Sequence, residues 1–168
     1  MGKLSALYCR LAGVAEMLAP VIPPLVLRLV LAWEFGEAGM EKWNGENWFY
    51  DVTFPFPFNL MSPELSWNIS MFFELAGAAA LLLGFATRFF SLSLMVLTVV
   101  AIAAVHWPEH WDTLSELFMG YRFTDMRSDG FGNYKLPALY LVMFLPLLFG
   151  GAGKWSLDTW LCQMHCKK

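Results

Sequence analysis

The chain has 168 residues, 58% hydrophobic, 17% aromatic and only 15% charged, against about 45–50% apolar and about 25% charged in ordinary soluble domains. Its 11 Lys and Arg against 14 Asp and Glu leave a net charge of −3, so there is no basic surface to neutralise nucleic-acid phosphates. Length and composition exclude a disordered chain and a large multidomain enzyme; they point to a single all-α domain over 1–168, an integral-membrane four-helix bundle with short loops.

In residues 1–20, Leu4, Leu7, Leu11, Val14, Ala15 and Leu18 recur at helical spacing, while Lys3, Arg10, Gly13 and Glu16 fall elsewhere on the wheel. The apolar run is too short and too interrupted for a secretory signal peptide. It predicts an amphipathic helix lying on the membrane surface and ended by Pro20.

A span needs roughly 20 mostly apolar residues. Four stretches meet that need, at about 24–42, 65–84, 89–107 and 135–150. In the last, Pro137 suits a first helical turn and Pro146 a kink. Between the first two spans, Trp48, Phe49, Tyr50, Phe54, Phe56 and Phe58 surround Pro55 and Pro57, a pattern for a segment folded back at the lipid–water interface. Between the third and fourth, Trp111, Leu114, Phe118 and Tyr121 share one apolar face after Pro108, which predicts a short interfacial helix in this second outer loop. Ser128-Asp129-Gly130 then forms a polar turn. Lys3, Arg10, Arg88, Lys154, Lys167 and Lys168 fall on one side of the spans, with most loop carboxylates on the other. That asymmetry places both termini in the cytoplasm and the two long loops outside.

Ionisable groups within a span are costly and face the bundle interior or water, so each is a candidate functional position. Arg28, Glu34 and Glu37 lie in the first span and Glu74 in the second. On a helix Glu34 and Glu41 fall nearly one above the other, with Glu37 about 60° away and Arg28 pointing elsewhere. Arg28 therefore snorkels to headgroups or meets a partner on another helix, such as Glu74. Glu74 is either half of such a structural pair or a carboxyl that relays protons, hydrogen-bonds a quinone or ligates a metal. Glu41 reads as interfacial.

His106 and His110 close the third span four residues apart, as metal ligands or as belt residues beside Trp107 and Trp111. Pro108 interrupts the helical geometry that would bring them together. Glu37 or Glu41, at similar depth, would complete a carboxylate–imidazole cluster with His106. In the tail, Cys162, His165 and Cys166 offer soft donors suited to Cu(I) or Zn(II), or form a terminus that tolerates any sequence. There is no C-x-x-C, nucleotide-binding glycine motif, nucleophile elbow or H-E-x-x-H. Redox chemistry would have to borrow a quinone, a metal or a partner's thiols.

Leu27-Arg28-Leu29, then Glu74-Leu75-Ala76-Gly77 with Leu82-Leu83-Gly84-Phe85-Ala86-Thr87-Arg88, then Gly151-Ala152-Gly153-Lys154-Trp155-Ser156-Leu157-Asp158, resemble in order the DoxX family of small inner-membrane proteins. These pieces span almost the whole chain. Trp48-Phe49-Tyr50-Asp51, Pro55-Phe56-Pro57-Phe58-Asn59-Leu60 and Gly130-Phe131-Gly132-Asn133-Tyr134-Lys135-Leu136-Pro137 are similar to the family branch called HvfX. That branch is associated with operons for copper-binding, ribosomally made modified peptides (RiPPs). The resemblance implies four helices in a bacterial inner membrane, a link to envelope copper handling, and Arg28, Glu74 and Arg88 as motif residues and candidate cofactor contacts. Other members are linked to quinone-coupled thiosulfate oxidation and to complexes that resist thiol and oxidative stress.

Three functions stand as expectations. The first is a redox-linked accessory in which a quinone, copper or a copper-bearing partner meets Glu34, Glu37, Glu74 and His106. The second is a small homo-oligomeric transporter of metal, proton or peptide. The third is a membrane scaffold that recruits the proteins maturing a copper-binding peptide. Lipid is an expected partner and nucleic acid is not; the residues leave enzymatic activity open.

Overall fold

A computed structural model of the chain describes residues 2–108, 113–115 and 134–165. Among the described residues the structure is helical, with no strand. Helix α1 (Lys3–Leu18) lies with nearly all its apolar side chains exposed. A short joint at Ala19 to Val21 leads into α2 (Ile22–Asn44), whose first turn holds Pro23 and Pro24, where missing backbone N–H groups cost nothing. The two helices are bent by 50° at this joint.

Helix α3 (Pro63–Leu83) is started by Ser62, whose hydroxyl accepts the Leu65 N–H at 3.3 Å, and by Pro63 at its first position. It is stopped by Gly84 at φ 68°, a left-handed cap that a side chain disfavours. Helix α4 (Thr87–Ala101) runs on into a wider π-type turn, Ile102–His106. Helix α5 (Lys135–Gly150) has Pro137 in its first turn and Pro146 inside, and α6 (Leu157–His165) ends the described chain. The expected helix carrying Trp111, Phe118 and Tyr121 lies outside the described residues, apart from 113–115.

Helix α2 packs on α3, α3 on α4, α4 on α5, and α5 back on α2. The ring closes around Leu31, Phe35, Leu81, Leu94, Phe144 and Leu147. Small residues set the antiparallel register of α2 and α3. A Cβ on Gly36 would sit 3.5 Å from that of Ala78, and one on Gly39 would meet Leu75 at 2.8 Å and the Glu74 Cβ at 3.2 Å. The same register carried back along α2 sets Arg28 opposite Gly84. Outward faces are apolar: Trp33 is 72% and Phe149 75% exposed. Among the described residues two helices are long and apolar enough to cross a membrane, or three when the bent pair of α1 and α2 counts as one span.

The first long loop folds as two helical turns, Phe49–Asp51 and Phe58–Leu60. Phe49 is buried, with ring centroids 4.9 Å from Trp48, 5.0 Å from Phe54 and 5.0 Å from Trp67. These edge-on contacts bind the loop to the start of α3.

Candidate functional site

A cavity of about 390 Å³ opens between α2, α3, α4 and α5, beside the folded first loop. Most of its wall is apolar, and Trp48, Phe49, Phe54 and Phe58 of the loop line one side. Into it come Glu34 and Lys42 from α2, Ser66, Ser70 and Glu74 from α3, Thr98 and His106 from α4 and its π-type turn, and Tyr140 from α5.

These polar groups are mostly paired. Lys42 Nζ lies 2.9 Å from each carboxylate oxygen of Glu74, and both side chains are close to fully buried. The Tyr140 hydroxyl donates to Glu34. Ser70 and Thr98 donate to the Trp67 and Leu94 carbonyls of their own helices, at 2.9 and 2.7 Å. Ser66 differs: its buried hydroxyl has no hydrogen-bond partner among the described residues. An ion pair and an acid–phenol pair in apolar surroundings are costly to place there, which makes the cavity the candidate functional site. Sites of roughly 300–1,000 Å³ with apolar walls and a few placed polar groups hold small molecules. This one suits a mostly apolar ligand with a hydrogen-bonding head.

The structure brings Glu34, Glu74 and His106 to this cavity and leaves Glu37 and Glu41 exposed and off it. The expected meeting of His106 with Glu37 or Glu41 is replaced by a shared cavity with Glu34. The pairing of Arg28 with Glu74 is not formed. Glu74 stands at the level of Gly39 in the antiparallel register, so Lys42, one turn further along α2, takes its charge. Lys42 and Tyr140 are site residues that sequence reasoning missed. Lys42 was legible as a cation within reach of a helix end, and Tyr140 as a phenol inside an apolar run that must find a partner when buried.

Arg28 and Arg88 sit at the opposite end of the helices. Arg28 is 1% exposed and donates from Nη2 to the Trp155 carbonyl at 2.6 Å. Asp158 caps α4 from the far end of the chain, accepting the Ala86 N–H at 2.7 Å and the Thr87 N–H at 2.9 Å, and it interacts electrostatically with Arg28. The Asp158 N–H in turn donates to the Gly84 carbonyl at 2.9 Å. Arg88 is exposed and donates to the Phe149 carbonyl at 3.3 Å.

In the first loop, the exposed Tyr50 hydroxyl donates to Glu64, and this hydrogen bond to a carboxylate pushes the phenol above its ordinary value of 10.0.

Among the described residues no three His, Cys, Asp or Glu side chains gather as a metal-binding group. Cys162 and His165 are exposed on α6, where His165 Nδ1 lies 3.0 Å from the Leu161 carbonyl; His110 and Cys166 fall outside the described residues.

The profile of the family described as DoxX matches residues 24–107. A Haemophilus influenzae protein described as uncharacterized is 39% identical over 162 residues, covering 95% of this chain and 94% of that protein. No solved structure is similar. The matched segment carries α2, α3 and α4, and with them Glu34, Lys42, Glu74 and His106 of the cavity: the chain belongs to the DoxX family.

Proposed function

We propose that this DoxX protein is a four-helix bundle crossing a bacterial inner membrane as one domain, with both termini cytoplasmic and α1 on the membrane surface. Its cavity holds the head of a lipid-soluble carbonyl carrier of the quinone class. In this reading it serves as a redox-linked accessory to the maturation of copper-binding peptides in the envelope, as its likeness to the HvfX branch implies. Copper is then the cargo of the partner peptide.

The observation that carries the reading is the convergence of Lys42–Glu74, Tyr140–Glu34 and His106 on one apolar cavity, beside a buried Ser66 hydroxyl that lacks a partner among the described residues. A flat ring with carbonyl oxygens matches such a wall: the ring stacks on aromatic side chains, and the oxygens accept from Ser66 or from the Lys42 ammonium, which keeps a third N–H beyond its two contacts with Glu74. When bound, a quinone supplies two-electron chemistry. The protein's own part is to hold the ring, exclude water and keep donors and carboxylates within reach of the carbonyl oxygens.

The test is organic extraction of the protein purified in mild detergent, followed by titration of the stripped protein with ubiquinone-1 under tryptophan fluorescence. Bound or rebinding quinone is expected, with affinity falling about tenfold in Ser66→Ala as one buried hydrogen bond is lost. Protein that yields no quinone and binds none when it is added overturns the reading. Wild-type copper tolerance and peptide maturation in both Glu74→Gln and His106→Ala would remove the cavity from that pathway.

A further inference from the structure

At the other end of the molecule a wide groove of about 930 Å³ runs between α2, α4, α5 and the Gly151–Asp158 segment. Its wall combines two chemistries. One stretch is apolar, formed by Leu27, Phe89 and Pro146. The other carries Arg88, Lys154 and Thr87. Thr87 is wholly buried and its hydroxyl has no hydrogen-bond partner among the described residues. The acid in the wall, Asp158, is already satisfied: each of its oxygens accepts a backbone N–H, and its charge interacts with that of Arg28. Two exposed cations therefore face the groove, and among the described residues that line it there is no free carboxylate.

The backbone is shaped to keep this groove open. Gly151 has φ 81°, with Arg88 Nε and Nη2 each 3.7 Å from where its Cβ would be. Gly153 has φ 79°, and a Cβ there would run into Pro24 at 2.8 Å and the Pro20 carbonyl at 3.0 Å. The segment thus lies against the start of α2, with the Lys154 N–H on the Pro20 carbonyl at 3.0 Å, and Lys154 and Arg88 line the same groove.

We propose that this groove seats an anionic phospholipid, its phosphate between Arg88 and Lys154 and one acyl chain along Leu27, Phe89 and Pro146. The guanidinium fork of Arg88 uses one N–H on the Phe149 carbonyl and has others to offer a phosphate oxygen. Lys154 adds a mobile point charge. Thr87 gives the phosphate a hydroxyl donor that the protein leaves unused. A free phosphate shares the polar contacts but leaves the apolar stretch bare, which is why the occupant is a lipid. The site is remote from the quinone cavity and does not depend on it.

The experiment is native mass spectrometry of the full chain in detergent, titrated with dioleoyl phosphatidylglycerol, dioleoyl phosphatidylcholine or inorganic phosphate. Phosphatidylglycerol is expected to bind about tenfold more tightly than phosphatidylcholine, because two basic side chains meet its net charge. The pair Arg88→Gln with Lys154→Gln brings the two lipids to parity, whereas Arg10→Gln on α1 keeps the preference. Gln163→Glu, an exposed position on the groove wall, is expected to weaken phosphatidylglycerol several-fold by like-charge repulsion, and it serves where the double variant does not fold. Equal binding of the two lipids by the wild-type chain, or a preference that survives these substitutions, overturns the proposal. Inorganic phosphate binding as tightly as phosphatidylglycerol does so as well, by making the occupant a free anion.

Discussion

A methyl group on Gly84 would lie 1.8 Å from Nη1 of Arg28, so the bare turn after α3 and the buried guanidinium of α2 fill one fitted position. Ser156 closes the other side, its Cβ 2.6 Å from the same point. Three stretches distant in sequence, around Arg28, Gly84 and Trp155 to Asp158, thereby meet in one joint. Arg28 and Gly84 lie within the segment that matches the family profile and Trp155 to Asp158 beyond it, and each of the three fills space or satisfies a polar group left by the other two.

Gly84→Ala is expected to destabilise the protein by about 3 kcal/mol, combining a strained positive φ with overpacking against Arg28. Thermal unfolding in detergent measures it. A substitution that leaves the unfolding temperature unchanged would mean that the Arg28 side chain moves aside freely and that the joint is loose.

Asp158 holds two amides at the start of α4, a helix that begins more than 70 residues earlier in the chain. Asp158→Ala strands both donors and is expected to cost about 2 kcal/mol. Asp158→Asn keeps one good acceptor oxygen for two donors, so its unfolding temperature should lie between those of Asp158→Ala and the wild type.

The helices are legible in the sequence because their signals are local. Apolar runs, Pro23, Pro24 and Pro63 in first turns, Ser62 as a cap and Gly84 as a stop all act within a few residues. The partner of Glu74 is not legible in the same way. Choosing between Arg28 and Lys42 requires the register of α2 against α3, and that register is set by the contacts of Gly36 and Gly39 with the other helix. Tyr140 is hidden for a related reason: within an apolar run it reads like any lipid-facing aromatic until α5 is placed beside α2.

The Lys42–Glu74 pair should behave as a unit. Removing either charge leaves the other buried and alone, so Lys42→Met and Glu74→Gln are each expected to cost about 3 kcal/mol. Removing both is expected to cost much less than the sum, since no bare charge remains. Unfolding of the four proteins in one detergent closes this cycle. Strictly additive losses would show that the two side chains are solvated independently and that the cavity is wet.

The contact of Tyr50 with Glu64 makes the first loop sensitive to alkali. The carboxylate accepts the phenol hydrogen bond, and this raises the Tyr50 pKa above 10.0 in the folded chain. A group whose folded pKa lies above its unfolded value stabilises fully below the unfolded value and loses that contribution as the pH rises through the folded one. The contact is therefore intact at neutral pH and lost only beyond about pH 10. Above that point phenolate and carboxylate repel, and the loop segment that lines the cavity with Trp48 and Phe49 loses its tie to the start of α3. In an ultraviolet titration of the five tyrosines, one phenol should ionise later in the wild type than in Glu64→Ala, with no change below pH 9 or so. Superimposable titration curves would show that the hydrogen bond does not persist in solution and that the loop is held by Phe49 packing alone.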